Sequence, residues 1–232
     1  MASEKRTKSK RALQLLGELL IAFGAILLLY VFWQIAINDP VVGSRQQDQS
    51  AQYSSSEKPK AKDFVNIHKN LKQGAVFAKI YVPRFEKNYE RLIGQGTLQK
   101  VTLNPIGVGH YISTEWPGEQ GNFAVAAHRT SHGAPFSKID TLKIGDKVWI
   151  ETNDLWFTYE YRQTEIVDPS DLSVLTDTPN GLNNVKAGGS YMTMTSCHPK
   201  WSNKQRIVVW LELVNTQSKT LGIPTDLIEA QK

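Results

Sequence analysis

The apolar residues of this chain follow two different patterns, and the first is one long run. From Leu19 to Ile37 almost every residue is apolar, with Gln34 as the interruption. A helix of that length matches the roughly 30 Å hydrocarbon core of a bilayer. The pattern therefore predicts a transmembrane anchor over residues 19–38, after a basic tail over residues 1–18.

The residues that flank this run predict its orientation. The basic residues that precede it are Lys5, Arg6, Lys8, Lys10 and Arg11. Positive residues favour the cytoplasmic side, so we expect the rest of the chain to lie outside the membrane. A cleaved signal peptide is the alternative, but the run is long for one and no small-x-small cleavage site ends it.

The second pattern is a series of short apolar or alternating runs separated by turn residues. It predicts strands at Ala75–Val82, Gly107–Ile112, Asn122–Ala127, Lys147–Thr152, Trp156–Thr164, Tyr191–Thr195 and Arg206–Val214. A helical period is suggested at Asp63–Gly74. Short strands punctuated in this way are typical of an all-β barrel or sandwich with short helices.

Composition sets the limits of this folded domain. The segment from Ser44 to Lys62 is rich in Gln, Ser and Lys and has almost no apolar residues. Such a segment buries too little surface to fold alone, which predicts a flexible stalk over residues 39–62. The folded domain is then expected over residues 63–216, followed by a C-terminal tail over residues 217–232.

Charge and cysteine content narrow the possible functions. The formal net charge is +5, but a basic cluster precedes the apolar run, and no stripe of basic and aromatic residues indicates nucleic-acid binding. Cys197 is the single cysteine, so it forms no intramolecular disulfide and no multi-thiolate zinc site. It is therefore either inert or reactive.

Three residues with suitable chemistry fall at the ends of predicted strands. Cys197 follows the strand Tyr191–Thr195, His128 follows a strand of small residues, and Arg206 begins the next strand after Cys197. An imidazole can hold a thiolate in an ion pair or donate a proton to a leaving amine, and a guanidinium can stabilise an oxyanion. A buried structural cysteine and a solvated arginine are the alternatives for each residue taken alone.

Two longer motifs contain these residues. The segment 122–136, Asn-Phe-Ala-Val-Ala-Ala-His-Arg-Thr-Ser-His-Gly-Ala-Pro-Phe, resembles the histidine motif of sortases. Thr193-Met194-Thr195-Ser196-Cys197 resembles the family's Thr-Leu-x-Thr-Cys, with Met194 in place of Leu and Ser196 in place of Thr. Arg206 falls where the family's arginine follows on the next strand. The resemblance covers roughly Ala75 to Val214.

The resemblance to sortases implies a fold and a reaction. The fold is an eight-stranded β-barrel with short helices. Cys197 would cleave the C-terminal sorting signal of a secreted protein between Thr and Gly, and a cell-wall amine on a peptidoglycan precursor or lipid II would resolve the thioacyl enzyme. His128 would be the general acid and base, and Arg206 would position substrate and stabilise the oxyanion.

Three shorter segments are similar to class E sortases of high-GC Gram-positive bacteria: Gly109-His110-Tyr111, Gly121-Asn122-Phe123 and Cys197-His198-Pro199. This similarity implies a Leu-Ala-x-Thr-Gly signal, with Tyr111 facing its second position. A tyrosine on the barrel surface is the alternative. We also expect the neighbours of the nucleophile, Thr195 and Ser196, to contact the substrate.

The implied chemistry requires no metal and no organic cofactor. His128 and His132 are four residues apart, a spacing that suits metal ligands on a helix. Gly133 and Pro135 disfavour a helix there, and no carboxylate accompanies the pair. We therefore expect His132 to organise its loop.

Other classes of protein fit the pattern less well. An L,D-transpeptidase has an arginine close after its cysteine, whereas His198-Pro199 follow Cys197 here, and a papain-like protease has its cysteine before its histidine. A pilus-polymerising sortase and a non-catalytic anchored β-domain stay open as alternatives to wall anchoring. The identity of the amine that resolves the thioester distinguishes a pilus-polymerising sortase from a wall-anchoring one. A non-catalytic domain would not need Cys197.

Overall fold

The computed structural model describes residues 2–53, 71–186 and 188–232. It falls into two units, Met1–Val41 and Val42–Lys232. The first unit contains helix α1 (Ala2–Trp33) and a π-helical turn at Gln34–Asn38. Helix α2 (Asp39–Tyr53) begins in the first unit and continues into the second.

One helical segment among the described residues, Leu13–Tyr53, is long and apolar enough to cross a membrane by length and composition. Its most apolar window has a mean hydropathy of 2.4. The large apolar side chains of this window are exposed, with Leu20 at 63% and Phe23 at 60%.

Eight strands form a closed barrel within the described part of the second unit, in the order β1-β2-β3-β4-β7-β8-β6-β5. They are β1 (Val76–Tyr81), β2 (Glu90–Gln95), β3 (Gly107–His110), β4 (Gly121–Ala127), β5 (Lys147–Glu151), β6 (Leu155–Val167), β7 (Ser190–His198) and β8 (Gln205–Ser218). The β2–β3 and β4–β7 pairs are parallel, and the other neighbours are antiparallel. The predicted eight-stranded barrel is confirmed.

The alternation of side chains along β7 decides which of its residues face outward. Met192 and Met194 are fully buried in the main core inside the barrel. Because successive side chains on a strand point to opposite faces, Thr193, Thr195 and Cys197 belong to the outer face. The thiol therefore emerges on the outside of the barrel wall, where a substrate can reach it.

The segment between β6 and β7 covers part of this outer face. Its short 3₁₀ helix, Leu172–Leu175, contributes to a second apolar cluster outside the barrel, made of Val174, Leu182, Tyr191, Val208 and Trp210. Asn122 fixes the segment, because its Nδ2 donates to the carbonyls of Val174 at 3.2 Å and Thr176 at 3.1 Å. Its Oδ1 accepts a bond of 2.8 Å from the Thr193 hydroxyl.

Two parts of the barrel domain differ from the sequence prediction. Strand β2 was not predicted, because Glu90 and Arg91 make its first half look polar. Arg91 is nevertheless buried and lies 4.8 Å from the ring of Tyr89. The predicted C-terminal tail is folded: β8 extends to Ser218, and helix α3 (Thr225–Ala230) buries Leu227 in a cluster with aromatic residues, Tyr81, Trp149 and Trp156.

The predicted stalk also differs, since α2 occupies its first part as far as Tyr53. Gly43, Gln46 and Ser50 are buried, and their spacing of three and four residues places them on one face of the helix. A face of small and amide side chains can pack without apolar residues when the amides find hydrogen-bond partners. Residues 54–62 of the stalk and 63–70 of the predicted helix lie outside the described residues.

Candidate active site

Strand β7 continues three residues beyond its predicted end and includes Cys197. The residue opposite Cys197 on β8 is Arg206, so the thiol and the guanidinium start from paired positions. Cys197 is half-buried and is a free thiol. Because Cys197 lies within the β7–β8 ladder and not in a turn, its backbone is held by the neighbouring strand β8.

The parallel pairing of β4 with β7 brings His128 to the same end of the barrel. Ala126 pairs with Thr195, and this register continued by two residues places His128 level with Cys197. The Ser196 hydroxyl donates to the carbonyl of Ala127 at 2.8 Å and holds the two strands together beyond the last paired residues. Neighbouring strands lie about 4.8 Å apart, so the imidazole and the thiol leave adjacent backbone positions.

An open groove of about 590 Å³ contains both side chains. His128 and Cys197 line it together with two loops, through Arg129, Thr130, Ser131, Trp201, Ser202, Asn203 and Lys204. Trp201 has a positive φ of 69° and is 66% exposed, so its indole stands at the rim. The volume of the groove falls within the range of ligand-binding clefts, and its lining is mostly polar, with the one indole of Trp201.

Arg206 lines a second, adjoining hollow of about 50 Å³ instead of the groove itself. Its Nη1 donates to the carbonyls of Asn203 and Gln205, each at 3.0 Å. Among the described residues, both of these hydrogen bonds of Arg206 come from Nη1. The N–H groups of Nε and Nη2 can therefore donate to other acceptors. The pKa of Asp168, in the same hollow, is lowered mainly by hydrogen bonds from Ser170 and further by the charge of Arg206.

The three residues expected to contact the substrate lie in different surroundings. Tyr111 and Thr195 both line the hollow beside Arg206, and their hydroxyl oxygens are 2.9 Å apart. Ser196 is 3% exposed and uses its hydroxyl to hold β4. A substrate contact by any of the three stays a prediction.

Asn104 is a residue of the site that the sequence did not indicate. Its Oδ1 lies 2.8 Å from Nε2 of His128. Because an amide oxygen only accepts, this bond places a proton on Nε2 and fixes the tautomer of the neutral ring. The ring of His132 stacks on that of His128, with centroids 4.9 Å apart, so His132 does belong to the organisation of this loop.

Arg129 is the second residue that the sequence did not single out, although it directly follows His128. Arg129 is 3% exposed, and its guanidinium pairs with Asp140 at 2.8 Å and makes a long contact of 3.5 Å to the carbonyl of Cys197. Burial lowers the pKa of Arg129, and the Asp140 carboxylate opposes that shift. Its position directly after His128 in the histidine motif is the sequence feature that could have indicated it.

Comparison with known proteins gives the same family from both sequence and structure. The family model described as the Sortase domain matches residues 80–214, more than half of the chain. Sortase SrtE2 of Streptomyces coelicolor is 34% identical over 89% of this chain and 84% of its own length. Sortase SrtE1 of the same organism is 31% identical over 92% of this chain, which matches 60% of the length of that relative.

A solved structure of Sortase E1 from Streptomyces coelicolor, with a tripeptide in its active site, superposes with a TM-score of 0.63 at 33% identity. The match covers 66% of this chain and 97% of that one. The predicted resemblance to class E sortases is confirmed by these relatives. With its barrel, its two motifs and these matches, the chain belongs to the sortase family of cysteine transpeptidases.

Proposed function

We propose that this chain is a membrane-anchored transpeptidase that cleaves a C-terminal sorting signal between Thr and Gly and transfers the acyl group to a cell-wall amine. The observation that carries the proposal is the shared groove of Cys197 and His128, with Arg206 paired to Cys197 across the ladder. The thiol and the imidazole share the groove, and the guanidinium starts from the neighbouring position on β8 and lines the adjoining hollow. These are the three groups that acyl transfer through a thioester requires.

The first half of the reaction forms the thioester. The Cys197 thiolate attacks the carbonyl carbon of the signal's Thr, and the guanidinium of Arg206 stabilises the oxyanion that forms. The Thr–Gly C–N bond then breaks, and the leaving nitrogen takes a proton from the imidazolium of His128. The products are a Thr thioester on Cys197, a free amino-terminal Gly peptide and a neutral imidazole.

The second half restores the enzyme. An incoming amine attacks the thioester and gives its proton to His128, so an amide bond forms as the C–S bond breaks. The thiolate and the imidazolium are then ready for another cycle. Asn104 supports this role because its bond to Nε2 keeps the ring of His128 in one orientation through both proton transfers.

Signal preference and topology are part of the proposal. Tyr111 and Thr195, together in the hollow beside Arg206, suit a small residue at the second position of the signal, which favours a Leu-Ala-x-Thr-Gly-like sequence. The basic cluster before the apolar segment supports a cytoplasmic amino terminus and an external barrel. Protease treatment of sealed vesicles measures that orientation directly.

The test uses the full chain in detergent micelles with two peptides that differ at the second position, Ala or Pro, and with primary amines. We expect a thioester adduct on Cys197 by mass spectrometry, ligation to the amine, and faster reaction of the Ala peptide. Cys197→Ala should abolish both products. A Cys197 that is alkylated normally but forms no thioester with either peptide would overturn the proposal.

The choice of amine separates wall anchoring from pilus polymerisation. A peptidoglycan-type amine and a lysine-bearing peptide are offered together, and the two amide products differ in mass. We expect the peptidoglycan-type amine to dominate. Preference for the lysine peptide would replace wall anchoring by polymerisation and leave the chemistry of Cys197 unchanged.

A further inference from the structure

The buried face of α2 makes its contacts beside the loop that follows β4, residues 128–138, which we call the histidine loop. Gln46 is 1% exposed, and its Nε2 donates to two carbonyls, those of Asn104 and His132, each at 3.1 Å. Both N–H groups of the amide are therefore used. The two acceptors lie 28 residues apart in the chain, since one follows a π-helical turn at Gln99–Leu103 and the other belongs to the histidine loop.

Three glycines create the space for this contact. A Cβ atom at Gly133 would lie 2.7 Å from Oε1 of Gln46 and 2.9 Å from the Cα of Gly43, and one at Gly107 would lie 3.0 Å from the same oxygen. Gly133 and Gly107 also have positive φ values, 78° and 110°, that other residues rarely adopt. The backbone of α2 and the histidine loop can therefore approach closely at these positions.

The two residues whose carbonyls bind Gln46 are the same two whose side chains contact the imidazole of His128. Asn104 bonds its Nε2, and His132 stacks on its ring. A single amide thus fixes the relative position of both neighbours of the ring. The contact comes from a helix that precedes the barrel, not from the barrel itself.

We propose that Gln46 is a positioning residue that sets the orientation of His128 through Asn104 and His132. The inference rests on the proposed function, in which His128 transfers the proton. Helix α2, which precedes the barrel, then contributes to catalysis by positioning His128. Displacing either contact of the imidazole moves the ring relative to Cys197, and small displacements of a catalytic group cost rate more than affinity.

The test replaces Gln46 by Met in the full chain, which keeps the length and approximate volume of the side chain and removes both donors. We expect kcat for ligation to fall about tenfold while KM stays constant, as for loss of an interaction made in the transition state. Gln47→Met is the matched control. Gln47 lies next to Gln46 and joins α2 to the barrel through the carbonyl of Asn88 and the guanidinium of Arg91, neither of which belongs to the histidine loop.

A second measurement needs no sorting peptide. The imidazole of His128 is titrated by NMR, with its signal identified by comparison with His128→Gln. The titratable and charged groups that line the groove with it are Arg129, Cys197 and Lys204, with His132 on its ring, and Gln46→Met changes none of them. We expect the pKa of His128 to move in Gln46→Met in the same direction as in Asn104→Ala and to stay constant in Gln47→Met.

A double-mutant cycle between Gln46 and Asn104 completes the design. If Gln46 acts through Asn104, the fold-loss of kcat in the double variant is smaller than the product of the two single fold-losses. Equal effects of Gln46→Met and Gln47→Met, or an unmoved pKa of His128, would overturn the inference. Absence of ligation in the unaltered chain would instead count against the proposed function, because the titration reports on Gln46 independently.

Discussion

Replacing Arg206 by Lys tests whether the geometry of the guanidinium is needed, and not its charge alone. Nη1 is held by the carbonyls of Asn203 and Gln205 at 3.0 Å each, so the group is oriented before substrate arrives. A lysine keeps the charge but has one ammonium, which cannot make both bonds and also present a planar pair of donors. Loss of one preorganised oxyanion donor lowers kcat by roughly 10²–10³. We therefore expect about a 100-fold loss for Arg206→Lys and about a 1,000-fold loss for Arg206→Ala.

The assay is single-turnover cleavage of a fluorescence-quenched sorting peptide, run beside alkylation of Cys197 by iodoacetamide. Arg206 lines the hollow and Cys197 the groove, so we expect the alkylation rate to change by less than about threefold. Arg162→Lys is the control, because Arg162 pairs with Glu212 farther along β8. Arg206→Lys with kcat within about threefold of the unaltered chain would refute a role for the guanidinium in the transition state.

Three further substitutions test the surroundings of the site and the barrel wall. Tyr111→Phe removes a hydroxyl that lies 2.9 Å from a threonine hydroxyl, and we expect weaker preference for Ala in a library of signals varied at the second position. Ser196→Ala should lower the free energy of unfolding in urea by about 1 kcal/mol while kcat is retained. A large fall in kcat at constant stability would instead indicate a substrate contact by Ser196. Burial alone would raise the pKa of Glu151, but hydrogen bonds from Lys219 and Tyr81 prevail and lower it. Stability from this group is present above its ordinary pKa of 4.5 and is lost as pH falls through the lower value of the folded state, which thermal unfolding measures. Glu151→Gln should flatten that dependence, and an unchanged slope would contradict the assignment.

The alternation of apolar residues was sufficient to locate seven strands of the barrel. It located them because their inward side chains are apolar, as at Phe123 and Val125 on β4. It missed β2, where the buried Arg91 stacks on an aromatic ring and looks like a surface residue in the sequence. The period of a strand is visible only where its buried positions are apolar.

The positions of Cys197, His128 and Arg206 at one end of the barrel also followed from the sequence, because each lies at the end of a recognisable run. The residues that hold these side chains in place could not be predicted from the sequence. Asn104 and Gln46 act through hydrogen bonds to residues that are distant in the chain, and a polar residue in a loop or a polar helix has no local pattern that marks such a bond. Composition alone therefore predicted a flexible stalk over residues 39–62, whereas the described part of that segment, residues 39–53, forms a helix with one buried face.

The groove and the hollow are separate, so the proposed reaction can hold the two sides of the scissile bond in different places. Cys197 lines the groove with His128, and its cross-strand partner Arg206 lines the hollow with Tyr111. In the proposed reaction the scissile carbonyl lies between the groove and the hollow, within reach of the Cys197 thiol and the Arg206 guanidinium. In the proposed reaction the side chain at the second position of the signal lies in the hollow, where Tyr111 can select it. The leaving and entering nitrogens lie in the groove, where the imidazole exchanges protons with them. Both amines use the same space in turn, so departure of the first amine product has to precede entry of the second amine, and the thioester on Cys197 is the state that separates the two events.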